Sequence, residues 1–290
     1  MHGRQALMEA KVRPARAADK GPLMSFIRDV WGGHDYIPSV WGRWLHDRNG
    51  KMFVVEVDGI PVGMNRVRFM EDGSAWFEGA RVHPAFRGRG LASMLGENSM
   101  RFAAARGVGV FRLTSGSHNR AAHRQISRIK FRETARFSVY EPPKGSKTRP
   151  RGAAVRMSPR DLLIVMDLLR KAKEFQLGGG VFWHYFTAAS LTEGVVSELL
   201  AEGAVWRLGD AVAVAKSGDE GEGHWEEVCY IGGPVSDSTG LVKALVGRNK
   251  NASERFVFVP QKSPVISALR KEGYSRNFSM VLFERRAAKG

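Results

Sequence analysis

The chain has very little cysteine and no long apolar stretch. Its single cysteine among 290 residues, Cys229, excludes an internal disulfide and a multi-cysteine zinc site, and the apolar run around it favours a core position. No apolar run approaches the roughly 20 residues of a membrane-spanning helix, and the N-terminus lacks the long apolar segment of a secretory signal. We therefore predict a cytoplasmic protein with no metal site and no membrane contact.

The most informative stretch is 81–92, Arg-Val-His-Pro-Ala-Phe-Arg-Gly-Arg-Gly-Leu-Ala, which follows a strand-like run and precedes a helical pattern. A strand that enters a glycine-rich turn and then a helix leaves backbone N–H groups without intrahelical partners at the positive end of the helix dipole. Gly88 and Gly90 permit close approach of the backbone, and Arg87 and Arg89 add positive charge. We predict an anion site at this turn.

Two familiar phosphate-binding motifs are absent from this turn. A dinucleotide fingerprint needs a third glycine or alanine at Ser93, and a Walker loop needs Gly-Lys followed by Ser or Thr. What remains is Arg-x-x-Gly-x-Ala at 87–92, preceded by Val-x-Pro, which resembles the acyl-CoA-binding motif of the GNAT acetyltransferase superfamily. The resemblance implies acetyl-CoA (coenzyme A) as cofactor, bound by Val82, His83, Arg87, Gly88, Arg89, Gly90, Leu91, Ala92 and Asn119.

The order of predicted elements around the turn agrees with this resemblance. A short strand and two helices precede three strands at 52–57, 60–69 and 74–82, and the turn is followed by a helix, a strand, a helix and a strand that ends near residue 140. This is the GNAT order. The stretch 36–92, above all 76–82, also resembles histidine N-acetyltransferase-like proteins.

The last helix of this half matches the family only in part. Asn119 and Ala122 fit the Asn-x-x-Ala that often begins it, and Phe131 fits the aromatic of a following Gly-Phe. Asn119 is expected to cap the helix and to contact the pantetheine arm. Ile126 replaces the tyrosine that commonly protonates the leaving thiolate in the family, so another group, such as Tyr140, or water must supply that proton.

Glu78 is the candidate general base, because it lies on the strand that leads into the turn. Strand alternation places Glu78, Ala80 and Val82 on one face and Arg81 on the other. Burial between apolar neighbours would raise the pKa of Glu78 toward a useful range. The alternative is a structural ion pair with Arg66 or Arg81. Weaker candidates for substrate contact are Tyr36, Trp41 and Arg81, and core packing is the competing role of Trp41.

The positive charge is concentrated in one segment. Of the net charge of +16, +10 falls in residues 101–150, which hold twelve Lys or Arg and two acids. Such a segment could bind nucleic acid, attract the phosphates of coenzyme A or form a solvated surface. Retention of the complete turn argues against a nucleic-acid role.

The second half repeats the order of elements without the turn. Residues 143–152 are rich in Pro, Gly and charge and predict a linker. Beyond it, helices and strands recur in similar order, but Gly232-Gly233-Pro234 lacks the arginine motif. We predict an α/β mixed-sheet protein of tandem GNAT fold, with a catalytic domain at 1–142 and a degenerate copy at 153–290. The aromatic run 182–186 predicts either a buried element or a cleft wall.

These patterns predict an acetyl-CoA-dependent N-acetyltransferase that acts on a primary amine of a small molecule or amino acid. Two alternatives remain open. One is acetylation of a protein or peptide amine, and the other is a non-catalytic GNAT-fold module that binds nucleic acid or regulates a partner.

Overall fold

A computed structural model describes residues 9–145, 154–220 and 223–287. Within them the contacts group the chain into two compact units. Unit 1 comprises the chain up to Leu113, Ala121–Arg132 and the chain from Glu284 onward, and unit 2 comprises Thr114–Arg120 and Glu133–Phe283. No helix among the described residues is both long and apolar enough to cross a membrane.

The first half of the chain confirms the predicted order of elements. Its strands and helices are β1 Ala10–Pro14, α1 Lys20–Ile27, α2 Ile37–His46, β2 Gly50–Val57, β3 Ile60–Phe69, β4 Ala75–Val82, α3 Leu91–Ala104, β5 Val110–Gly116, α4 Arg120–Arg128 and β6 Arg132–Glu141. Strands β1 to β4 pair antiparallel in chain order, and β4 pairs parallel with β5 at Ala75–Phe111 and Trp76–Arg112. Of the predicted linker, residues 146–152 lie outside the described residues.

The core of unit 1 forms where α1 and α2 cover β2 and β3. Apolar residues recur at helical spacing on these helices, and alternate residues of the strands face them. Trp41 and Trp44, three residues apart, share a face and are both buried in this core. The members are Leu23, Met24, Phe26, Ile27, Ile37, Trp41, Trp44, Met52, Val54 and Met64.

The second half of the chain contains β7 Val155–Arg156, α5 Leu162–Lys171, α6 Lys173–Leu177, β8 Val181–His184, β9 Thr187–Ser190, α7 Glu193–Ala201, β10 Val205–Leu208, β11 Ala211–Glu220, β12 Gly223–Gly232, α8 Val235–Leu245, β13 Glu254–Pro260, α9 Val265–Lys271 and β14 Ser275–Arg286. In unit 2 the strand order is β14-β6-β13-β12-β11-β10-β7, with β12 and β13 parallel. Cys229 is buried in β12, as predicted.

The aromatic run 182–186 forms a hairpin that the sequence did not predict. Strands β8 and β9 pair with each other, and the turn places Tyr185 and Phe186 at φ 47° and 61°. Phe182 and Trp183 are buried, whereas Tyr185 and Phe186 are 41% and 39% exposed. Part of the run is therefore core and its turn is surface.

The final residues of β14 complete unit 1. Glu284 accepts a hydrogen bond from Arg112 Nε at 3.0 Å, and Arg285 Nη1 donates to the carbonyl of Ile129 at 2.7 Å. The N–H of Ala287 donates to the carbonyl of Gly109 at 2.9 Å. Because of these contacts, the compact units do not coincide with the consecutive segments 1–142 and 153–290. The assignment of these two segments as two copies of one fold stays a prediction.

Candidate functional site

The predicted glycine turn joins β4 to α3. The N–H of His83 donates to the carbonyl of Val62 at 2.8 Å, and its Nδ1 accepts from the N–H of Ala85 at 3.2 Å, which starts a short 3-10 turn at Pro84–Phe86. Gly88 and Gly90 then adopt φ 79° and 80°, in the left-handed region that favours glycine. These two glycines reverse the chain so that α3 begins at Leu91.

The start of α3 has the features of an anion site. Gly90 is the N-cap and supplies no side-chain cap, and its carbonyl accepts the first intrahelical bond, from the N–H of Met94 at 3.1 Å. The N–H groups of the first turn therefore have no intrahelical acceptor. No heavy atom lies within 4 Å of where a Cβ would stand on Gly88 or Gly90, so the space beside the turn is open.

Two arginines place positive charge on this turn. Arg87 Nε donates to the carbonyl of Val82 at 3.2 Å, and the Arg89 guanidinium lies 5.2 Å from the centre of the Phe86 ring. Both arginines are exposed. Charge and helix dipole act in the same direction here and favour an anion such as a phosphate.

Helix α4 fixes the beginning of α3. Gln125 Nε2 donates to Ser93 Oγ at 2.6 Å, and Leu91 is buried beneath the turn while Ala92 is half-buried. Ile126 is buried at 8% exposure, so the position of the family tyrosine is occupied by a packed aliphatic side chain. The predicted cofactor residues from Val82 to Ala92 thus form one continuous strand–turn–helix.

A β-bulge in β4 corrects the predicted faces of that strand. Arg66 pairs with Glu78 and Met64 pairs with Arg81, so two residues, Gly79 and Ala80, oppose one residue of β3. Gly79 adopts φ 66°, and a Cβ there would lie 2.8 Å from the Trp44 ring. Because the extra residue shifts the alternation, Glu78 and Arg81 lie on the same face of β4, not on opposite faces.

The Glu78 carboxylate belongs to a charged group on this face. Arg66 donates through one terminal nitrogen to Glu78 and through the other to Asp47. The guanidinium also lies 4.8 Å from the centre of the Trp44 ring. The ion pair with Arg66, the alternative weighed for Glu78, is therefore present, and the pair is the point where β3, β4 and the end of α2 meet.

Burial raises the pKa of Glu78 above its ordinary value, against the lowering effect of the Arg66 and Arg68 charges. A carboxylate whose pKa is raised holds a proton more strongly and is a better base once ionised. The side chain keeps 17% of its surface exposed, so it is accessible to a small group.

Arg81 is held in place beside Tyr36. Its Nε donates to Asp35 Oδ2 at 2.6 Å, and its guanidinium carbon lies 5.8 Å from the centre of the Tyr36 ring. The Asp35 side chain is fully buried and also accepts the N–H of Ile37 at 2.9 Å. Tyr36 is 46% exposed and packs edge-to-face against Trp44, so these residues present a polar and aromatic surface beside Glu78.

The remaining predicted site residues lie elsewhere. Trp41 is 2% exposed in the core of unit 1, which supports its packing role and not substrate contact. Tyr140 is fully buried in the core of unit 2, and its hydroxyl has no hydrogen-bond partner among the described residues. This position gives the proposed acid role no support. Asn119 directly precedes α4, and its N–H donates to the carbonyl of Gly116 at 3.0 Å.

Sequence reasoning missed Asp35, Asp47 and Trp44 as members of the charged group. Asp35 is 46 residues from its partner Arg81, and Asp47 is 19 residues from Arg66, so no local spacing links them. The sequence signal was an acid directly before the aromatic segment at 36–44, Asp35, and another three residues after it, Asp47.

The glycine turn that follows β12 in unit 2 is closed. Gly233 leads from β12 toward α8, and a Cβ on it would lie 2.7 Å from backbone atoms of Asp210 and Ala211. Its N–H donates to the buried carboxylate of Glu174 at 3.3 Å. The Gly233 turn therefore contacts a carboxylate and lacks the open space found beside Gly88 and Gly90, which agrees with the missing arginine motif.

The fold is mixed α/β, and its open strand–turn–helix has the features of an anion site. Residues 22–129 match the family described as Acetyltransferase (GNAT) family. The chain is 33% identical over 82 residues to histidine N-acetyltransferase of Oreochromis niloticus and 34% identical over 74 residues to that of Xenopus tropicalis. These alignments cover 28% and 25% of this chain and span about a quarter of the relatives, 24% and 23%.

Similarity to solved structures extends over nearly the whole chain. A GCN5-related N-acetyltransferase from Sphaerobacter thermophilus has a TM-score of 0.61 at 16% identity, covering 96% of this chain and 95% of its own. One from Kribbella flavida has a TM-score of 0.52 at 13% identity, covering 98% of this chain and 72% of its own. At these identities the similarity shows the fold alone.

Proposed function

We propose that this protein is an acetyl-CoA-dependent N-acetyltransferase that acts on a primary amine of a small molecule or amino acid. The observation that carries the proposal is the open, arginine-flanked turn between β4 and α3, inside the region that matches the family. The same strand carries Glu78 on the face that also presents Arg81 and Tyr36. Binding and proton transfer are thus served by one strand and the turn that follows it.

The residues of the turn fit coenzyme A. Phosphate oxygens would be held by the N–H groups at the start of α3, with Arg87 and Arg89 as counter-charges. Gly88 and Gly90 leave the space that such a group needs. When bound, acetyl-CoA supplies the acetyl group as a thioester. Asn119 stays a predicted contact of the pantetheine arm.

Glu78 is the proposed base for the acceptor amine. An amine must lose a proton before it can attack, and this costs about 4 to 5 kcal/mol at pH 7 for a lysine-type amine but only about 1 to 2 kcal/mol for an α-amine with a pKa near 8. A carboxylate with a raised pKa can accept that proton, and Arg66 holds it in position. Orientation by the site can contribute roughly 7 to 11 kcal/mol more.

An amino-acid α-amine is the favoured acceptor. The relatives named above are histidine N-acetyltransferases, and the alignments with this chain cover about a quarter of their length, 24% and 23%. Arg81 is suited to a substrate carboxylate, since a guanidinium binds it in a fixed geometry, and Tyr36 offers an exposed ring beside it. The tandem arrangement, with a degenerate second copy at 153–290, is supported by structures that match nearly the whole chain. The cytoplasmic location stays a prediction.

The test combines calorimetry with a thiol-release assay. The protein should bind acetyl-CoA and release free thiol only with an acceptor, in a screen of amino acids, a polyamine, an aminoglycoside and a peptide. Turnover on the peptide alone would favour the protein-acetylating alternative. Absence of acetyl-CoA binding, together with salt-sensitive binding of nucleic acid, would favour the non-catalytic module.

A further inference from the structure

Unit 2 contains a cavity that the proposed function does not use. Its volume is about 370 Å³, at the small end of the range of about 300 to 1,000 Å³ for small-molecule sites. We call it the basic–aromatic cavity and define it by Arg156, His184, Glu202, Lys216, Trp225 and Arg248. All six residues belong to unit 2, whereas Glu78, Arg81 and the open turn belong to unit 1.

Two arginines of the lining pack against one tryptophan ring and have no carboxylate partner among the described residues. The guanidinium carbons of Arg156 and Arg248 lie 5.2 and 4.3 Å from the centre of the same ring, Trp206. Neither forms an ion pair with an acid among the residues that the structure describes. Lys216, by contrast, is paired with Glu202 at 2.9 Å. The cavity therefore carries two positive charges that no side chain of the described chain neutralises by direct contact.

A buried acid close to Arg248, Glu226, is already engaged. Glu226 accepts the N–H groups of Gly247, Arg248 and Asn249 at 2.5, 3.0 and 3.3 Å, and Arg255 Nε lies 3.4 Å from it. Partial burial lowers the pKa of Arg248, and the positive charge of Arg156 lowers it further. The negative charge of Glu226 acts in the opposite direction. Two like charges close together are unfavourable, and a bound dianion would relieve this.

Another part of the cavity lining is aromatic. The rings of His184 and Trp225 lie 5.2 Å apart at 51°. Glu227 positions His184, since its carboxylate lies 3.4 Å from Nδ1 and also accepts the N–H of Tyr185 at 3.0 Å. Tyr185 holds the left-handed conformation that bulky residues rarely adopt. The His184 side chain keeps 30% of its surface exposed, whereas Trp225 is 8% exposed, so the His184 ring offers the surface on which a planar heterocycle can stack.

We propose that the basic–aromatic cavity binds a small planar heterocycle carrying a phosphate monoester, a ligand of the mononucleotide class. The phosphate contacts Arg156 and Arg248, and the ring stacks on the part-exposed His184 beside Trp225. A phosphate monoester carries a charge of about −1.5 to −2 at pH 7, which matches two guanidiniums better than a single carboxylate does. Coenzyme A contains the same chemistry in its phosphorylated adenosine, so the experiment must separate the two sites.

Calorimetry on the full chain tests the proposal with AMP, adenosine and inorganic phosphate as probes. AMP should bind at least tenfold more tightly than adenosine or phosphate alone. Arg156→Gln combined with Arg248→Gln should weaken AMP at least tenfold, while Arg276→Gln, which removes an exposed cation of unit 2 outside the cavity, should leave AMP affinity unchanged. Gly90→Val, which alters the turn of unit 1, should also leave AMP affinity unchanged.

Three results would overturn the proposal: no AMP binding, equal affinity for AMP and adenosine, or AMP binding that is lost in Gly90→Val and kept in the arginine variant. The last would assign AMP to the turn of unit 1. If the double variant does not fold, Arg156→Lys replaces it, since it keeps the charge but loses the planar guanidinium. A folded Arg156→Lys protein with unchanged AMP affinity would likewise contradict the proposal.

Discussion

Glu78 and Arg66 lie directly opposite each other on β4 and β3 and form an ion pair at the edge of the β4 bulge. The ion pair holds the candidate base in place, and the bulge brings Arg81 to the same face of β4 as Glu78. Arg66 also donates a hydrogen bond to Asp47 at the end of α2, so the pair links this face of β4 to that helix. It is therefore the contact on which the proposed chemistry depends most.

Replacing Glu78 by Gln should lower kcat/KM by about 10² to 10⁴, the usual contribution of a general base. Burial raises the pKa of Glu78. In the native protein kcat/KM should therefore rise with pH as this carboxyl loses its proton, and the rise should occur at a higher pH than an ordinary glutamate would give. The Gln variant should lack this limb. Glu71→Gln, at an exposed glutamate, serves as control, and an unchanged pH profile in Glu78→Gln would exclude the base role.

Gly90→Val should abolish acetyl-CoA binding. A branched residue in the left-handed region costs about 1 to 2 kcal/mol, and its side chain would fill the open space beside α3. Gly107→Val is the matched control, because Gly107 has φ 81°, equally open space and a position beyond the other end of α3. Calorimetry with acetyl-CoA should distinguish them. Retained affinity in Gly90→Val would place the phosphate site elsewhere.

Arg81→Gln should raise KM for the acceptor tenfold or more and leave KM for acetyl-CoA nearly unchanged. The expected loss is that of a charged hydrogen bond, about 1.5 to 3 kcal/mol. Lys51→Gln on β2 removes an exposed cation of the same unit and should change neither constant. Steady-state kinetics with both substrates varied measures the split, and an equal rise in both KM values would argue for a general structural effect.

Asp19→Ala should destabilise the protein by about 1.5 to 3 kcal/mol, since it removes charged hydrogen bonds from Arg13, which keeps Glu56 as its remaining partner. Arg13 donates two hydrogen bonds of 2.8 Å to Asp19 and one of 2.6 Å to Glu56. Asp29→Ala, at an exposed aspartate, is the control. Denaturant unfolding at pH 7 measures the difference, and equal stability of the two variants would contradict the estimate.

The same pair predicts a pH dependence of stability. Burial opposes ionisation of Asp19, but hydrogen bonds from Arg13 and from the N–H of Arg16 outweigh it and hold the pKa of Asp19 below its ordinary value. Its stabilisation is therefore complete above the unfolded pKa, about 3.9, and is lost as pH falls through the lower folded pKa. Asp19→Ala should lose stability less steeply than the native protein below about pH 4.

The sequence predicted what depends on local pattern. The meander of β2 to β4, the turn at 81–92 and helix α3 followed from periodicity and from glycine placement. The bulge did not, because alternation in a sequence cannot show that Gly79 adds a residue to the strand. Contacts such as Asp35 with Arg81 join distant residues, and only the folded sheet brings them together.

The hairpin β8–β9 shows a second limit. Its turn holds Tyr185 and Phe186 in the left-handed region without a glycine, so the usual signal of a tight hairpin is missing. The continuous apolar run predicted burial correctly for Phe182 and Trp183. The exposure of the next aromatic residues depends on their place at the turn.

The last strand has a consequence for how the protein is made. Arg112 and the carbonyl groups of Gly109 and Ile129 receive their partners from residues 284–287. During synthesis on the ribosome, a nascent chain that has exposed only the first half cannot make these contacts. Folding of the proposed acetyltransferase half should therefore finish only after translation has passed residue 287, although its glycine turn emerges about 200 residues earlier.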